Sequence, residues 1–192
     1  FSEQVRMLRT ELLLRAEAET CNVLAVMSPA AAEGRSRIAA ELAVAFSQIG
    51  QPTLLVDADL REPRQQELFG APNEHGLAQA LVDGRAPPIS AVAGLPCLSV
   101  LTAGPRPQNP SELLAEPTFG ELLKNWRRRH RHIVIDTPPV SEFADGLSVA
   151  TYAGRVLLVG RKHHTSMDEM RTLLQRIEAT QARVVGSVLC AF

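Results

Sequence analysis

The sequence has little of what several function classes require. Its 20 basic and 21 acidic residues nearly cancel, for a net charge of −1 over 192 residues, so no overall field draws the chain onto nucleic acid or an anionic bilayer. No apolar run approaches the roughly twenty residues that cross a membrane, and no signal peptide is visible at Phe1. The chain as given is expected to be soluble, with a cut from a membrane protein left open. Three cysteines, Cys21, Cys97 and Cys190, stand far apart without the close spacing of a metal site or a disulfide framework, which suits a reducing cytoplasm. There is one tyrosine, Tyr152, and no internal repeat or low-complexity segment. What remains is a chain that is 45% hydrophobic, long enough to bury roughly two thirds of its unfolded surface in one domain.

Short β-branched or leucine-rich runs alternate with helical patterns. The strand candidates are Asn22 to Ser28, Thr53 to Asp59, Cys97 to Ala103, His132 to Pro138, Arg155 to Arg161 and Arg183 to Cys190. Several are apolar on both faces, which is the mark of a mainly parallel sheet with helices on both sides, an α/β three-layer sandwich. In "IAAELAVAFSQIG" one stripe of Ile38, Leu42, Ala45, Phe46 and Ile49 predicts a helix that Gly50 ends. The stretch Gly84 to Gly94 reads as a surface connection. Right-handed crossovers would gather the strand carboxyl ends on one edge, where such folds bind ligands. The opening helix, residues 1–18, would be capped by Ser2 and place Phe1, Val5, Leu8 and Leu12 on one face, with Glu3, Arg6 and Arg9 recurring on another; residues 22–192 would form the core. The basic run from Arg127 to His132 reads either as a solvated helix end or as a docking patch for an acidic partner or tyrosine tail.

Three segments carry chemistry. "SPAAAEGRSR" (Ser28 to Arg37) sits between a strand and a helix, the setting in which loop amides and a helix N-terminus cradle phosphate. Against the pattern G-x-x-x-x-G-K-[ST], Gly34 and Ser36 are in place. Arg35 retains the charge of the usual lysine on a bulkier planar fork, and the β-carbons of Ala31 and Ala32 oppose the positive φ that glycine supplies. "LLVDADLREP" ends a strand in Asp57 and Asp59, which suit Mg²⁺ held through water and proton acceptance from a hydroxyl, or else cap the next segment by Asx-type bonds. "HIVIDTPPV" delivers Asp136 at a strand end, the usual place for a metal-polarising carboxylate.

These stretches, with "LFGAPNEHGLAQAL", "LTAGPRPQNPSELL", "IVIDTPPVSEFADGLSVA" and "GRVLLVGRKHHTS", resemble the bacterial tyrosine kinases, P-loop kinases of polysaccharide synthesis and export, over nearly the whole chain. The "NPSELL" stretch separates this resemblance from ParA- and MinD-type partitioning ATPases. What it implies is an ATP/ADP and Mg²⁺ site in which Ala32, Glu33, Gly34, Arg35, Ser36, Arg37 and Cys190 stand at nucleotide-contacting positions. Ser36, Asp57 and Asp136 would serve the metal, Asp57 or Asp59 would act as base toward tyrosine, and Arg35 would neutralise phosphate charge. Glu3, Arg6 and Arg9 match the E-x-x-R-x-x-R spacing by which such domains form rings. The resemblance further implies a cytoplasmic domain at the inner face of the membrane, activated by a membrane-spanning chain-length regulator and phosphorylating tyrosines of a C-terminal tail.

Departures cluster on the nucleotide and acceptor functions. Arg35 replaces lysine, Ala31 and Ala32 replace the loop's proline and first glycine, Arg37 replaces a hydroxyl residue, Cys190 stands where asparagine is usual, and the only tyrosine lies inside the fold. Two readings follow, a weakened protein-tyrosine kinase or a pseudokinase scaffold for a polysaccharide regulator; a partitioning ATPase is the third.

Overall fold

Residues that are apolar on both faces need cover on both sides, and the computed structural model supplies it; it describes residues 3–15 and 21–191. In chain order the elements are α1 (Glu3–Leu14), β1 (Asn22–Met27), α2 (Arg35–Ser47), β2 (Thr53–Asp57), α3 (Gln65–Phe69), α4 (Leu77–Asp83), β3 (Ser90–Val92), β4 (Leu95–Leu101), α5 (Pro110–Ala115), α6 (Pro117–Arg127), β5 (His132–Asp136), α7 (Asp145–Ala153), β6 (Arg155–Arg161), α8 (Met167–Glu178) and β7 (Arg183–Cys190). The seven strands form one sheet in the order β3-β4-β2-β5-β1-β6-β7, parallel except for β3 against β4. Successive residues of β1 feed opposite layers: Val23, Ala25 and Met27 pack with Phe119, Leu122 and Trp126 of α6, while Leu24 and Val26 pack with Leu42 and Phe46 of α2. Each such fully buried large side chain contributes about 1.5–3 kcal/mol.

Two expectations are corrected. The Gly84 to Gly94 connection contains β3, which has only three residues and pairs on one side, too short for alternation to reveal it. Helix α2 ends at Ser47 rather than reaching Gly50, and Ile49 is 41% exposed, because the chain turns away from the sheet there toward Gly50 at φ 78°. Phe1 and Ser2, with the capping role given to Ser2, lie outside the described residues, as does the end of the predicted opening helix. Among the described residues no helix is long and apolar enough to cross a membrane.

With β1 between β5 and β6, the carboxyl ends of β1, β2 and β5 lie side by side: Val26 is in register with Asp136, and Asp136 with Asp57. Segments far apart in sequence therefore reach one edge of the sheet.

Candidate functional site

At that edge the chain between β1 and α2 forms the phosphate-type loop. Gly34 caps α2 at φ 88° without a side-chain cap, so the first-turn N–H groups stay open, and Ala32 adopts φ 59° in spite of its β-carbon. A left-handed alanine costs roughly 1 kcal/mol, and the surroundings hold it there. Glu33 is buried, its Oε2 accepting from Ala30 N at 3.1 Å and its Oε1 from the Thr165 hydroxyl, while Arg161 Nη1 donates to the Ala32 carbonyl at 3.4 Å. A clasp from the β6–α8 connection thus fixes a loop that glycine would ordinarily relax. Glu33 turns its carboxylate into the protein, leaving only its backbone for a ligand. The loop borders a cavity of about 390 Å³ that Gly34, Arg35, Ser36, Asp59, Arg61 and Phe143 help to line.

The acidic residues converge as their strand ends require. Asp57 is fully buried; its Oδ1 accepts from Asp59 N at 3.1 Å, and its Oδ2 from Arg64 N at 3.1 Å and Gln65 N at 2.9 Å. Asp59 accepts from the N–H groups of Arg61 and Glu62. Capping of the following segment is therefore present together with the convergence on the loop. Gln65, absent from the sequence-derived site, is fully buried, and its Nε2 donates to Asp136 Oδ2 at 2.8 Å and to the Ser36 carbonyl at 3.0 Å. Nothing in "PRQQEL" separates Gln65 from its neighbour Gln66, which is only partly buried. The Ser36 hydroxyl also reaches Asp136.

Arg35, expected to neutralise phosphate charge, bonds to the acids at the strand ends. Its guanidinium is buried among them: Nε donates to Asp136 Oδ1 at 3.1 Å, Nη2 to Asp59 Oδ2 at 3.0 Å and Nη1 to Ser28 Oγ at 3.0 Å. The planar fork reaches two strand ends with separate nitrogens. Burial, followed by the neighbouring Asp136, pushes the Asp57 carboxyl well above the usual range. Burial raises Asp136 as well, against the pull of Arg35.

A second ion pair, between partly buried Arg61 and buried Asp145, adjoins the cavity. Arg61 grips Asp145, at the start of α7, through Nε at 2.8 Å and Nη2 at 3.3 Å, donates to Ser111 Oγ at 2.9 Å, and lies 3.8 Å over the Phe143 ring. Ser111 in turn donates to Asp145. "DADLREP", "NPSELL" and "FADG" are thereby tied at one corner.

The remaining predicted residues are less gathered. Arg37 is exposed on α2 and pairs with Glu41 at 2.7 Å. Cys190, at the end of β7, borders a wider groove shared with Gly34, Arg37, Glu41 and α1, and burial followed by Glu41 raises its thiol pKa. Glu3 and Arg6 pair at 3.1 Å on the exposed side of α1, but Arg9 turns inward and donates to the Ala45 carbonyl of α2 at 3.1 Å, so the three do not share one free face. Tyr152 is packed edge-on to Phe119, and its hydroxyl meets the carbonyls of Ala115 and Glu116. Arg127 to Arg129 are exposed at the end of α6, on the opposite edge from the loop.

The side chains and backbone fit an anion better than a metal. Open amides at the α2 terminus and left-handed turns at Ala32 and Gly34 form a concavity suited to phosphate oxygens. A divalent cation does not fit the carboxylates as they stand, because Arg35 already occupies the gap between Asp59 and Asp136. Among the described residues no three His, Cys, Asp or Glu side chains are arranged to hold one.

No family model matches the chain. It is 32% identical over 189 residues to the tyrosine-protein kinase ptk of Acinetobacter johnsonii, covering 97% of this chain and 26% of that protein, so it spans about a quarter of that relative's length. It is 31% identical to CapB of Staphylococcus aureus over 98% of this chain and 83% of CapB. Among solved structures, the kinase domain of the Escherichia coli tyrosine kinase ETK superposes with a TM-score of 0.93 at 31% identity, over 98% of this chain and 74% of that one. MinD of Pyrococcus horikoshii, solved with Mg-ADP, matches at TM-score 0.73 and 18% identity over 88% of this chain and 69% of its own, a likeness of fold alone.

Proposed function

The chain belongs to the bacterial tyrosine kinases, and on that premise we propose that it is a nucleotide-binding, protein-tyrosine-kinase-type domain of a polysaccharide synthesis or export system, with phosphoryl transfer slowed by its altered loop. The observation that carries this reading is the loop backbone, which keeps left-handed turns at Ala32 and Gly34 and an uncapped α2 terminus beneath Asp57, Asp59 and Asp136. When bound, ATP would supply the transferable phosphoryl group. The amides of residues 32–36 would hold its phosphates, and Asp59, at the cavity wall, would orient and accept the proton of an incoming tyrosine hydroxyl. Tyr152 is not that tyrosine, since its hydroxyl is engaged with the Ala115 and Glu116 carbonyls; the acceptor would come from another polypeptide or segment. Ring assembly through Glu3 and Arg6, activation by a membrane-spanning chain-length regulator and a place at the inner face of the membrane belong to the same proposal.

A second reading, a scaffold without catalysis, is favoured by the ion pairs that tie Arg35 to Asp59 and Asp136. Calorimetry with ADP and ATP, beside a phosphorylation assay on a tyrosine-containing peptide, separates the two. Nucleotide binding and slow transfer are expected, the transfer weakened by Asp59→Asn; binding without transfer leaves the scaffold, and no binding removes the kinase reading. Sedimentation tests the ring, which should dissociate in Arg6→Ala; a wild-type protein that stays monomeric at high concentration removes it.

A further inference from the structure

Arg35 already stands where a cation is wanted. Its Nε and Nη2 donate to carboxylates from two different strand ends, Asp136 at 3.1 Å and Asp59 at 3.0 Å, while Nη1 holds Ser28. The other donors to these acids are Gln65 and Ser36 on Asp136, and the backbone of Arg61 and Glu62 on Asp59. Two signs show that the pocket still favours positive charge. Two carboxylates, Asp59 and Asp136, share one guanidinium, with Asp57 close behind Asp136, and Gln65 Oε1 in the same cluster is buried without a donor. The fork gives a separate nitrogen to each acid and a third to Ser28, whereas lysine offers one compact ammonium on a shorter reach.

From this geometry we infer that Arg35 and a divalent cation are alternative occupants of the Asp59–Asp136 pair, so that the resting domain takes the phosphates of a nucleotide without metal. A hard cation must approach a carboxylate oxygen to about 2.1 Å. The guanidinium, bonded to those same oxygens, fills that approach and opposes it with like charge. The phosphates need no such vacancy, because the loop amides and the α2 terminus that would bind them lie outside the ion pairs. The second half of the inference rests on the nucleotide reading above, whereas the competition for the carboxylates is independent of it.

Mn²⁺ added to the nucleotide-free domain and followed by electron paramagnetic resonance tests the competition. Wild type should leave the ion free, and Arg35→Met, which keeps much of the stem and deletes the charge, should bind it at least about tenfold more tightly. Asp136→Asn in the same background should abolish that gain. Equal binding by wild type and Arg35→Met, or no gain in the variant, overturns the inference. If Arg35→Met does not fold, Arg35→Lys carries the comparison, with a smaller gain expected because the ammonium keeps the competing charge while filling less of the gap between the acids; a lysine variant as inert as wild type is the contrary result. Calorimetry with ADP tests the second half: wild-type affinity should change by less than about threefold between Mg²⁺ and EDTA, and a loss of about tenfold or more in EDTA overturns it. A domain that binds ADP in neither buffer removes the nucleotide reading and the second half together, while the Mn²⁺ result still decides the competition.

Discussion

Two arginines, Arg35 buried and Arg61 partly buried, lie at the same sheet edge, and they are held in different ways. Arg61 meets one carboxylate, Asp145, through two nitrogens, shares Ser111 with it and stacks on Phe143, so charge is matched one to one. Arg35 is divided between Asp59 and Asp136 with Asp57 behind them, and Gln65 Oε1 is left without a donor. A matched, bidentate, stacked pair has no better partner to move to and acts as a pin. An arginine facing excess negative charge neutralises a site that other cations can also satisfy.

Breaking the pin should give the largest effect. Asp145→Ala leaves the Arg61 guanidinium buried beside Ser111 and Phe143 without its counter-charge, and removing one partner of a buried pair costs about 3–5 kcal/mol. Urea denaturation should show that loss, unchanged by added Mn²⁺. In the other region, Arg35→Met should cost less, about 2 kcal/mol, because the raised Asp57 and Asp136 can take up protons in place of the lost cation. That loss should be partly recovered with Mn²⁺, by linkage to the folded state. Identical responses of the two variants to Mn²⁺ would erase the distinction between pin and exchangeable cation.

The same contrast marks what was legible in the sequence. Strands β6 and β7 are bounded as their runs predict, β1, β2, β4 and β5 differ by a few residues, and β3 gives no signal; burial on both faces leaves an unbroken apolar signal in β1 and most of β6, while β7, at the sheet edge, is partly exposed. Asp57, Asp59, Asp136, Gly34 and Ser36 could be assigned because each stands at a strand end or a helix start. The residues that tie these acids and Arg61 in place could not. Asp145, Ser111 and Gln65 are polar residues in helix first turns, where they read as ordinary capping or solvent-facing groups, and only the tertiary fold buries Asp145 and Gln65 and brings Ser111 to Asp145. The direction of Arg35 was hidden for a related reason: its residue type gives its charge and reach, and the competing acids decide where it points. The inward turn of Arg9 follows the same logic, since a three-residue spacing does not reveal that the Ala45 carbonyl lies within its reach.

Buried His132, which among the described residues pairs with no carboxylate, sharpens the contrast from the other edge of the sheet. It stacks on Phe46 at 4.1 Å, its Nε2 donates to Gln51 Oε1 at 2.7 Å, and its Nδ1 is buried without a partner. Burial, followed by Arg131 and Arg155, lowers its pKa from 6.5 to about 4. Because the folded value lies below the unfolded one, the unfolded chain binds the extra proton first as pH falls. Stability should therefore be intact above pH 6.5 and decline toward pH 4, by about 2 kcal/mol from this group. Denaturation midpoints across that window measure it, and His132→Phe, which keeps the stack, should flatten the slope. An unchanged slope would assign the acid sensitivity to other groups.

The smallest effect should come from the loop, where strain rather than charge distinguishes the two regions. Ala32 holds φ 59° because Glu33, Thr165 and Arg161 clasp the turn from the β6–α8 connection. Glycine would remove the strain of a left-handed β-carbon but would also raise the entropy of the unfolded chain, and the two nearly cancel, so Ala32→Gly should change stability by no more than about 0.5 kcal/mol. A β-branched residue tolerates that backbone far less well, and Ala32→Val should cost about 1–2 kcal/mol. The informative variant is Glu33→Gln, which keeps the length and weakens the clasp to Thr165. If the clasp does the work that glycine does elsewhere, Ala32→Gly should offset part of the Glu33→Gln loss in the double variant. Strict additivity would mean that the turn is held by the adjoining strand and helix alone.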